Sequence, residues 1–189
     1  DEKDKLWGSD PYSASKVTAE QVIDTYRLIN LSKNSKKVIL VARSGNIIGG
    51  GDISKNRIVP DIIKAIKSKK VLKVRNPDSI RPWQHVLDPL IGYLKLIYKQ
   101  NNYKVNNNWN FGPTKKNFKK VKNIIKIFKK KFNLKYQIIK INEKEIQTLR
   151  LNSNKSRKFL PWKTQLNFEQ AINLVISYEN EIKKNISSY

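Results

Sequence analysis

The chain has 189 residues, enough for a sizeable core within one domain. It contains neither Cys nor Met, which excludes disulfides, thiolate metal sites and cysteine nucleophiles. Its formal charge of +24 rests on 32 lysines and only 7 arginines. A reader of nucleic acid favours Arg, whose fork matches phosphate and guanine geometry, so this charge reads as a permissive lysine-rich surface and nucleic acid is not an expected partner.

No run approaches the ~18 apolar residues of a membrane span, and no secretory signal is visible. A cytoplasmic home and no membrane partner are expected. Asp1 to Ser9 are charged and polar apart from Leu6 and Trp7. They read as the interior of a longer chain.

Asp10-Pro11-Tyr12-Ser13-Ala14-Ser15-Lys16 forms a turn that launches a helix, with Asp10 or Ser13 able to cap it. Val17, Ala19, Val22, Ile23, Tyr26 and Ile29 recur at threes and fours, which predicts a helix from Ser13 to about Leu31. Tyr12 and Lys16, four apart, share one face of it. An ammonium beside a phenol favours the phenolate and makes tyrosine a usable base near neutral pH. An amphipathic tyrosine on a surface helix explains the same four residues, so the pair alone leaves both readings open.

A polar connector with a turn at Lys33-Asn34-Ser35 leads to Val38-Ile39-Leu40-Val41-Ala42. That apolar run without alternation predicts a strand buried on both faces of a parallel sheet. The segment Arg43 to Asp52, with Ser44, Asn46 and glycines 49 to 51, then lies beyond the strand's carboxyl end, where open α/β sheets bind ligands. A flexible turn is the plainer use of three glycines.

Ile58 to Lys69 reads as an amphipathic helix with Pro60 in its first turn and Ile58, Ile62, Ile63 and Ile66 inward. Val71 to Val74 is a short strand and Asn76-Pro77-Asp78 a turn. The run Ser79 to Val86 is dense in side chains that bind, and its His85 is the only histidine in the chain. A lone histidine is more often structural than catalytic. Asp88 to Tyr98 is predicted as a helix with Leu90, Leu94 and Ile97 buried.

After a polar loop, Trp109 to Pro113 reads as a strand and turn. Lys115 to Phe132 reads as one basic helix whose apolar face is Phe118, Val121, Ile125, Phe128 and Phe132. A domain helix with a lysine-rich solvent face explains this pattern, and a membrane-surface or nucleic-acid-binding helix is the rival. Tyr136 to Ile141 and Leu149 to Asn152 are extended, a short helix precedes Leu160-Pro161-Trp162, and Phe168 to Ile182 is a closing helix.

Tyr-x-x-x-Lys opening a helix, followed by a buried strand and a glycine loop, resembles the extended short-chain dehydrogenase/reductases. Ser-Gly-Asn-Ile-Ile-Gly-Gly-Gly-Asp (44 to 52), Ile-Arg-Pro-Trp-Gln-His-Val-Leu-Asp-Pro-Leu (80 to 90) and Trp-Asn-Phe-Gly-Pro (109 to 113) are similar to their CDP-glucose 4,6-dehydratase branch. Leu151 to Lys155 and Phe159 to Trp162 are similar to that family's carboxyl end. The Arg-Pro-Trp-Gln-His-Val run is the specific part; Tyr-x-x-x-Lys marks only the superfamily.

The resemblance implies an α/β fold: the carboxyl-terminal part of a Rossmann-like doubly wound parallel sheet plus a smaller α/β substrate-binding domain. Residues 1–52 would close the NAD-binding domain. Residues 53–189 would be mainly substrate-binding, with strands returning to the sheet.

It also implies roles. Tyr12 takes the proton of the sugar 4-hydroxyl as hydride leaves C4 for NAD, and Lys16 holds the nicotinamide ribose beside it. Ser44 joins the cofactor side. Asn46, Arg57, Arg81 and, more weakly, Arg75 contact the nucleotide-sugar diphosphate. Water leaves across C5 and C6, hydride returns to C6, and CDP-glucose becomes CDP-4-keto-6-deoxyglucose. Arginine's bidentate fork suits a diphosphate independently of any family.

A related epimerase, decarboxylase or dehydratase for another nucleotide sugar is the near rival. No metal is expected, and a homodimer is implied for the full-length protein. The family's glycine-rich dinucleotide fingerprint and its Thr-Asp-Lys segment are not found here and are expected upstream of Asp1. The stretch alone is expected to be inactive, with parallel strands lacking neighbours.

Overall fold

The computed structural model describes residues 1–30, 38–99, 108–140 and 147–186. The expected turn at 33–35 and the end of the 136–141 strand lie outside them. Helix α1 (Pro11–Asn30) opens the chain, followed by strands β1 (Val41–Ser44) and β2 (Ile47–Ile48) and helix α2 (Ile58–Ser68). Strands β3 (Leu72–Val74), β4 (Ile80–Pro82) and β5 (Gln84–His85) lead into α3 (Leu87–Lys99). Then come β6 (Asn108–Phe111), β7 (Phe118–Lys120), α4 (Val121–Lys131), β8 (Tyr136–Ile138), α5 (Asn154–Phe159) and α6 (Phe168–Ile186).

The strands form four two-stranded sheets. β1–β6, β2–β5 and β3–β8 pair in parallel, and β4–β7 is antiparallel. The parallel pairs each join strands far apart in sequence, as crossover connections require. This is an α/β arrangement.

α1 begins where Asp10 caps it. The Asp10 carboxylate accepts the N–H groups of Tyr12 and Ser13 at 2.9 and 3.0 Å, and Ser13 Oγ accepts the Asp10 N–H at 3.2 Å. This reciprocal pairing is a capping box, with Pro11 at the position where a missing N–H costs nothing. Hydrogen bonds from the Ser13 hydroxyl and then its N–H hold the Asp10 carboxyl below its ordinary range.

Two apolar clusters carry the packing. The larger joins α2, α4 and α6 over β3 through Val59, Ile62, Leu72, Val74, Ile124, Ile125, Phe128, Ile172 and Val175. Fully burying such a side chain contributes about 1.5–3 kcal/mol. The smaller cluster is Leu96, Trp109, Phe111, Leu160 and Trp162, with Leu40, Ala42 and Tyr93 against it. Phe111 meets Tyr93 and Trp162 edge to face, centroids 5.2 and 5.1 Å apart.

Four expectations need correction. The strand after α1 covers 41–44, not 38–42, and is only half buried, because among the described strands it has β6 on one edge alone. The inward face of α3 is Asp88, Pro89, Gly92 and Leu96, while Leu90, Leu94 and Ile97 face outward. The small Gly92 decides this, since it alone admits Phe111 and Trp162 against the helix backbone. In α1, Val17 and Ile23 turn inward with Glu20 and Arg27, but Ala19, Val22, Tyr26 and Ile29 lie outside. The basic segment is not one helix. Residues 115–117 form a 3-10 turn, 118–120 pair with β4, and α4 starts only at Val121.

A Cβ on Gly92 would lie 2.4 Å from the Phe111 ring and 3.0 Å from Trp162 Nε1. Gly92→Ala is therefore expected to destabilise the fold by about 1–3 kcal/mol through overpacking, despite alanine's better helix propensity. Urea unfolding of the two proteins checks it.

Candidate active site

Tyr12 and Lys16 stand on the first turns of α1, and Lys16 Nζ lies over the Tyr12 ring, 5.5 Å from its centroid. Tyr12 is 65% exposed. Among the described residues its hydroxyl has no hydrogen-bond partner, and the Lys16 ammonium makes no ion pair. Both polar ends are thus available to something outside the described protein atoms.

What holds this helix in place is charge. Arg43, in β1, donates Nε to the Glu20 carboxylate oxygens at 2.8 and 3.0 Å and closes a fork through its terminal nitrogen. Arg27 donates to the Ile39 carbonyl at 3.1 and 3.0 Å and to Asn108 Oδ1 at 2.9 Å. Glu20 and Arg27 are two turns apart on the inward face. Neither tether is visible as a motif, because ordinary spacing of charged residues hides which of them pair across a fold.

At the carboxyl end of β1, Ser44 Oγ shares a hydrogen bond with Tyr93 Oη of α3. The Ser44 hydroxyl thus already has a protein partner. Two residues on, Asn46 keeps a buried Oδ1 without a partner among the described residues. Its carbonyl accepts the Gln84 N–H at 3.2 Å, and β2 then pairs with β5 through Ile47↔Gln84 and Ile48↔His85. This brings the Asn46 loop beside the segment that carries Arg81.

Arg81 is half buried and donates to the Ile80 and Gln147 carbonyls at 3.0 and 3.3 Å. Arg57 sits exposed at the amino-terminal boundary of α2, in extended conformation. Burial pushes the nearby Asp52 carboxyl up, but Ser54 hydrogen bonds and the Arg57 charge outweigh it and leave it below its ordinary value. Arg75 follows β3 and faces Asp61 in the first turn of α2, where burial wins over the Arg75 and Lys64 charges and raises the Asp61 carboxyl. Arg57 and Arg75 therefore both border the start of α2. The structure joins Asn46 to the Arg81 segment directly and Arg57 to the same loop through residues 49 to 56. The helix that carries Tyr12 and Lys16 is tied to β1 through Glu20 and Arg43.

His85 is buried, and its Nδ1 accepts the Leu87 N–H at 3.4 Å, a long contact at the entry to α3. Burial lowers its proton affinity against the opposing pull of Asp88. Asp88 in turn accepts the Gln165 N–H at 2.8 Å, and its carbonyl accepts Trp162 Nε1 at 2.8 Å. Asp88 thereby ties α3 to the chain's last third. No group of three or more His, Cys, Asp or Glu side chains among the described residues is arranged to hold a metal.

The profile of the GDP-mannose 4,6 dehydratase family matches residues 1–175. The chain belongs to that family. A CDP-glucose 4,6-dehydratase from Salmonella typhimurium is 40% identical over 130 residues, covering 66% of this chain and 36% of the relative. Among solved structures, dTDP-glucose 4,6-dehydratase from Bacillus anthracis in complex with NAD superposes with a TM-score of 0.81 at 18% identity, over 97% of this chain and 56% of that one. UDP-glucose-4-epimerase from Stenotrophomonas maltophila with bound NAD gives 0.83 at 14% identity, over 97% and 59%. The last two show the fold, which is the Rossmann-like α/β fold expected. The chain thus spans well under two thirds of the length of each relative.

The Arg43–Glu20 fork is partly shielded, with 17% and 16% of the side chains exposed. Glu20→Ala is expected to cost about 1.5–3 kcal/mol of stability, the range for hydrogen bonds to charged groups. A double-mutant cycle with Arg43→Ala, followed by urea unfolding, should return a favourable coupling of that sign.

Proposed function

We propose that this chain is the base- and substrate-bearing part of an NAD-dependent nucleotide-sugar 4,6-dehydratase acting on CDP-glucose. The observation that supports it best is the state of the Tyr12–Lys16 pair. A phenol and an ammonium share one helix face, stacked and exposed, with no partner for the hydroxyl among the described residues. The 40% identity to a CDP-glucose 4,6-dehydratase supports the choice of substrate.

The residues present suit the dinucleotide. The Lys16 ammonium and the Tyr12 hydroxyl, without polar partners among the described residues, would hold its nicotinamide ribose, and Ser44 stands at the carboxyl end of β1, its hydroxyl shared with Tyr93. NAD, when bound, supplies the hydride acceptor at C4 and the donor at C6. Tyr12 Oη takes the 4-hydroxyl proton as that carbon is oxidised, and Lys16 stabilises the phenolate. Asn46 offers its unpartnered buried amide oxygen to the substrate, and Arg57, Arg75 and Arg81 hold the diphosphate. Loss of water across C5 and C6 gives the 4-keto-5,6-ene, and return of the hydride to C6 with a proton to C5 completes the 4-keto-6-deoxy sugar.

The test uses the natural chain that carries these residues, given CDP-glucose and NAD. A 4-keto-6-deoxy product is expected, and Tyr12→Phe should cut its formation by about 10²–10⁴-fold, the usual worth of a positioned base. Arg81→Ala should chiefly raise KM, by about 10- to 150-fold for about 1.5–3 kcal/mol of charged hydrogen bonding. Full turnover by Tyr12→Phe would remove the base assignment, and a C4 epimer as product would move the reading to an epimerase.

For the partner we propose a second copy, docked through α1. Ala19, Val22, Tyr26 and Ile29 follow 3-4-3 spacing on its exposed side, the seam of a helix that packs on another helix. Tyr26→Glu is expected to convert a dimer to a monomer in sedimentation equilibrium. An unchanged mass would rule this face out.

A further inference from the structure

The glycine run 49 to 51 looks made for phosphate, yet the structure gives it a protein partner. A Cβ on Gly50 would lie 2.2 Å from the Tyr178 ring of α6. Gly51 has φ +75°, and a Cβ there would lie 3.0 Å from Tyr178 Oη. Its N–H donates to Glu179 Oε1 at 3.1 Å. The other carboxylate oxygen accepts Lys67 Nζ at 2.6 Å, in the last turn of α2, and the Glu179 side chain is only 14% exposed. An anion at Gly51 would have to displace a carboxylate from the same N–H, against that carboxylate's own charge. The run is therefore a seat for α6.

What the seat controls follows from the chain path. Asn46 precedes it and Arg57 follows it, six residues beyond Gly51. Between them the loop turns once more at Asn56, φ +62°, and Asp52 accepts the Ser54 N–H at 2.9 Å. Asn46 is fixed by β2–β5, but Arg57 is exposed at the end of that loop. Glu179 grips the loop on one oxygen and the far end of α2 on the other. It thereby fixes both chain segments that meet at Arg57.

We infer that Glu179, with Tyr178, is a positioning residue for nucleotide-sugar binding, holding the 49–56 loop so that Arg57 meets the diphosphate in register with Asn46. This rests on the dehydratase reading above. Glu179 touches no reacting atom, so its loss weakens binding and leaves the proton transfer at Tyr12 alone.

The experiment compares Glu179→Ala, Glu179→Gln, Arg57→Ala and the Glu179→Ala/Arg57→Ala double variant in the natural chain. With CDP-glucose, Glu179→Ala is expected to raise KM roughly tenfold with kcat kept, less than the hundredfold that an ångström of misplacement costs at a reacting group. Glu179→Gln, which retains the acceptor for Gly51, should recover most of it. The double variant should bind no worse than Arg57→Ala, because a positioning residue has nothing left to position. Multiplying effects, a fall in kcat alone, or an unchanged KM in Glu179→Ala would each overturn the proposal. Amide exchange at Gly51 is read in parallel. Faster exchange in Glu179→Ala is expected, and exchange as slow as in the parent would sink the tether itself. Should the parent neither bind nor turn over a nucleotide sugar, the dehydratase reading fails, and the exchange measurement still reports separately on the loop.

Discussion

The junction at Gln84 is the constraint on which the proposed substrate side depends. Gln84 is fully buried, and its N–H reaches the Asn46 carbonyl while its Nε2 donates to the Phe111 carbonyl at 2.8 Å. One residue thus joins the loop after β1, strand β5 and the end of β6. Its Oε1 is buried without a partner among the described residues, so the amide is held by its nitrogen, and replacing it by an apolar residue would take that donor from the Phe111 carbonyl. Around it Trp83 is buried, with Nε1 donating to the Lys119 carbonyl at 2.8 Å, and Pro82 packs under Gly45. Each residue of Arg81-Pro82-Trp83-Gln84-His85 therefore has a separate contact. A run this specific in sequence is specific because five consecutive side chains meet five different surroundings.

The lysine surplus has a local explanation for part of its extent. Lys120 and Lys122 both reach Asp78, at 2.9 and 2.8 Å, and these two ammonium groups draw its carboxyl down to about 2. Lys131 donates to Asn173 Oδ1 at 2.9 Å, and Lys155 lies 4.3 Å over the Trp109 ring while donating to the Asn108 carbonyl. Long aliphatic stems with a charged tip cover apolar edges in this way. Exposed pairs of this kind add little stability each. Lys120, Lys122 and Lys131 thus make local polar contacts at the exposed side of β7 and α4, as a solvent face does.

The fold was legible where one periodicity had one cause. α2 and α6 lie within a few residues of their expected bounds because their apolar stripes face one cluster. α3 was legible as a helix but not in its orientation. Leu90, Leu94 and Ile97 form as good a stripe as Asp88, Gly92 and Leu96, and hydrophobicity alone ranks the first above the second. Leu94 is nevertheless 67% exposed, since the second stripe contains the only residue that lets two aromatic rings reach the backbone. Phe118 was assigned to a helix because its spacing to Val121 is helical, yet its backbone hydrogen bonds go to β4. For the proposed site, residue types were what singled out Tyr12, Lys16, Asn46 and the arginines as candidates. Glu20, Arg43, Tyr178 and Glu179 carried no signal, because their partners are 23 to 128 positions away.

The two halves of the site are fastened by different physics. Asn46 and Arg81 are carried by backbone pairing and a buried amide, so their spacing is fixed by strand register. Tyr12 and Lys16 ride on a helix whose contact with β1 is made by Glu20 and Arg27, not by a wide apolar stripe. An apolar face tolerates rotation about the helix axis, because close contact is gained at many angles. A guanidinium fork on a carboxylate, and a second guanidinium on a carbonyl a turn or two later, are directional and permit one angle. Tyr12 lies two turns before Glu20 on the same helix, so that angle decides where its hydroxyl points. The base proposed at Tyr12 would have to be aimed to within hydrogen-bond geometry, whereas a helix that only fills space need not be. Polar docking of α1 is the arrangement that meets the stricter demand.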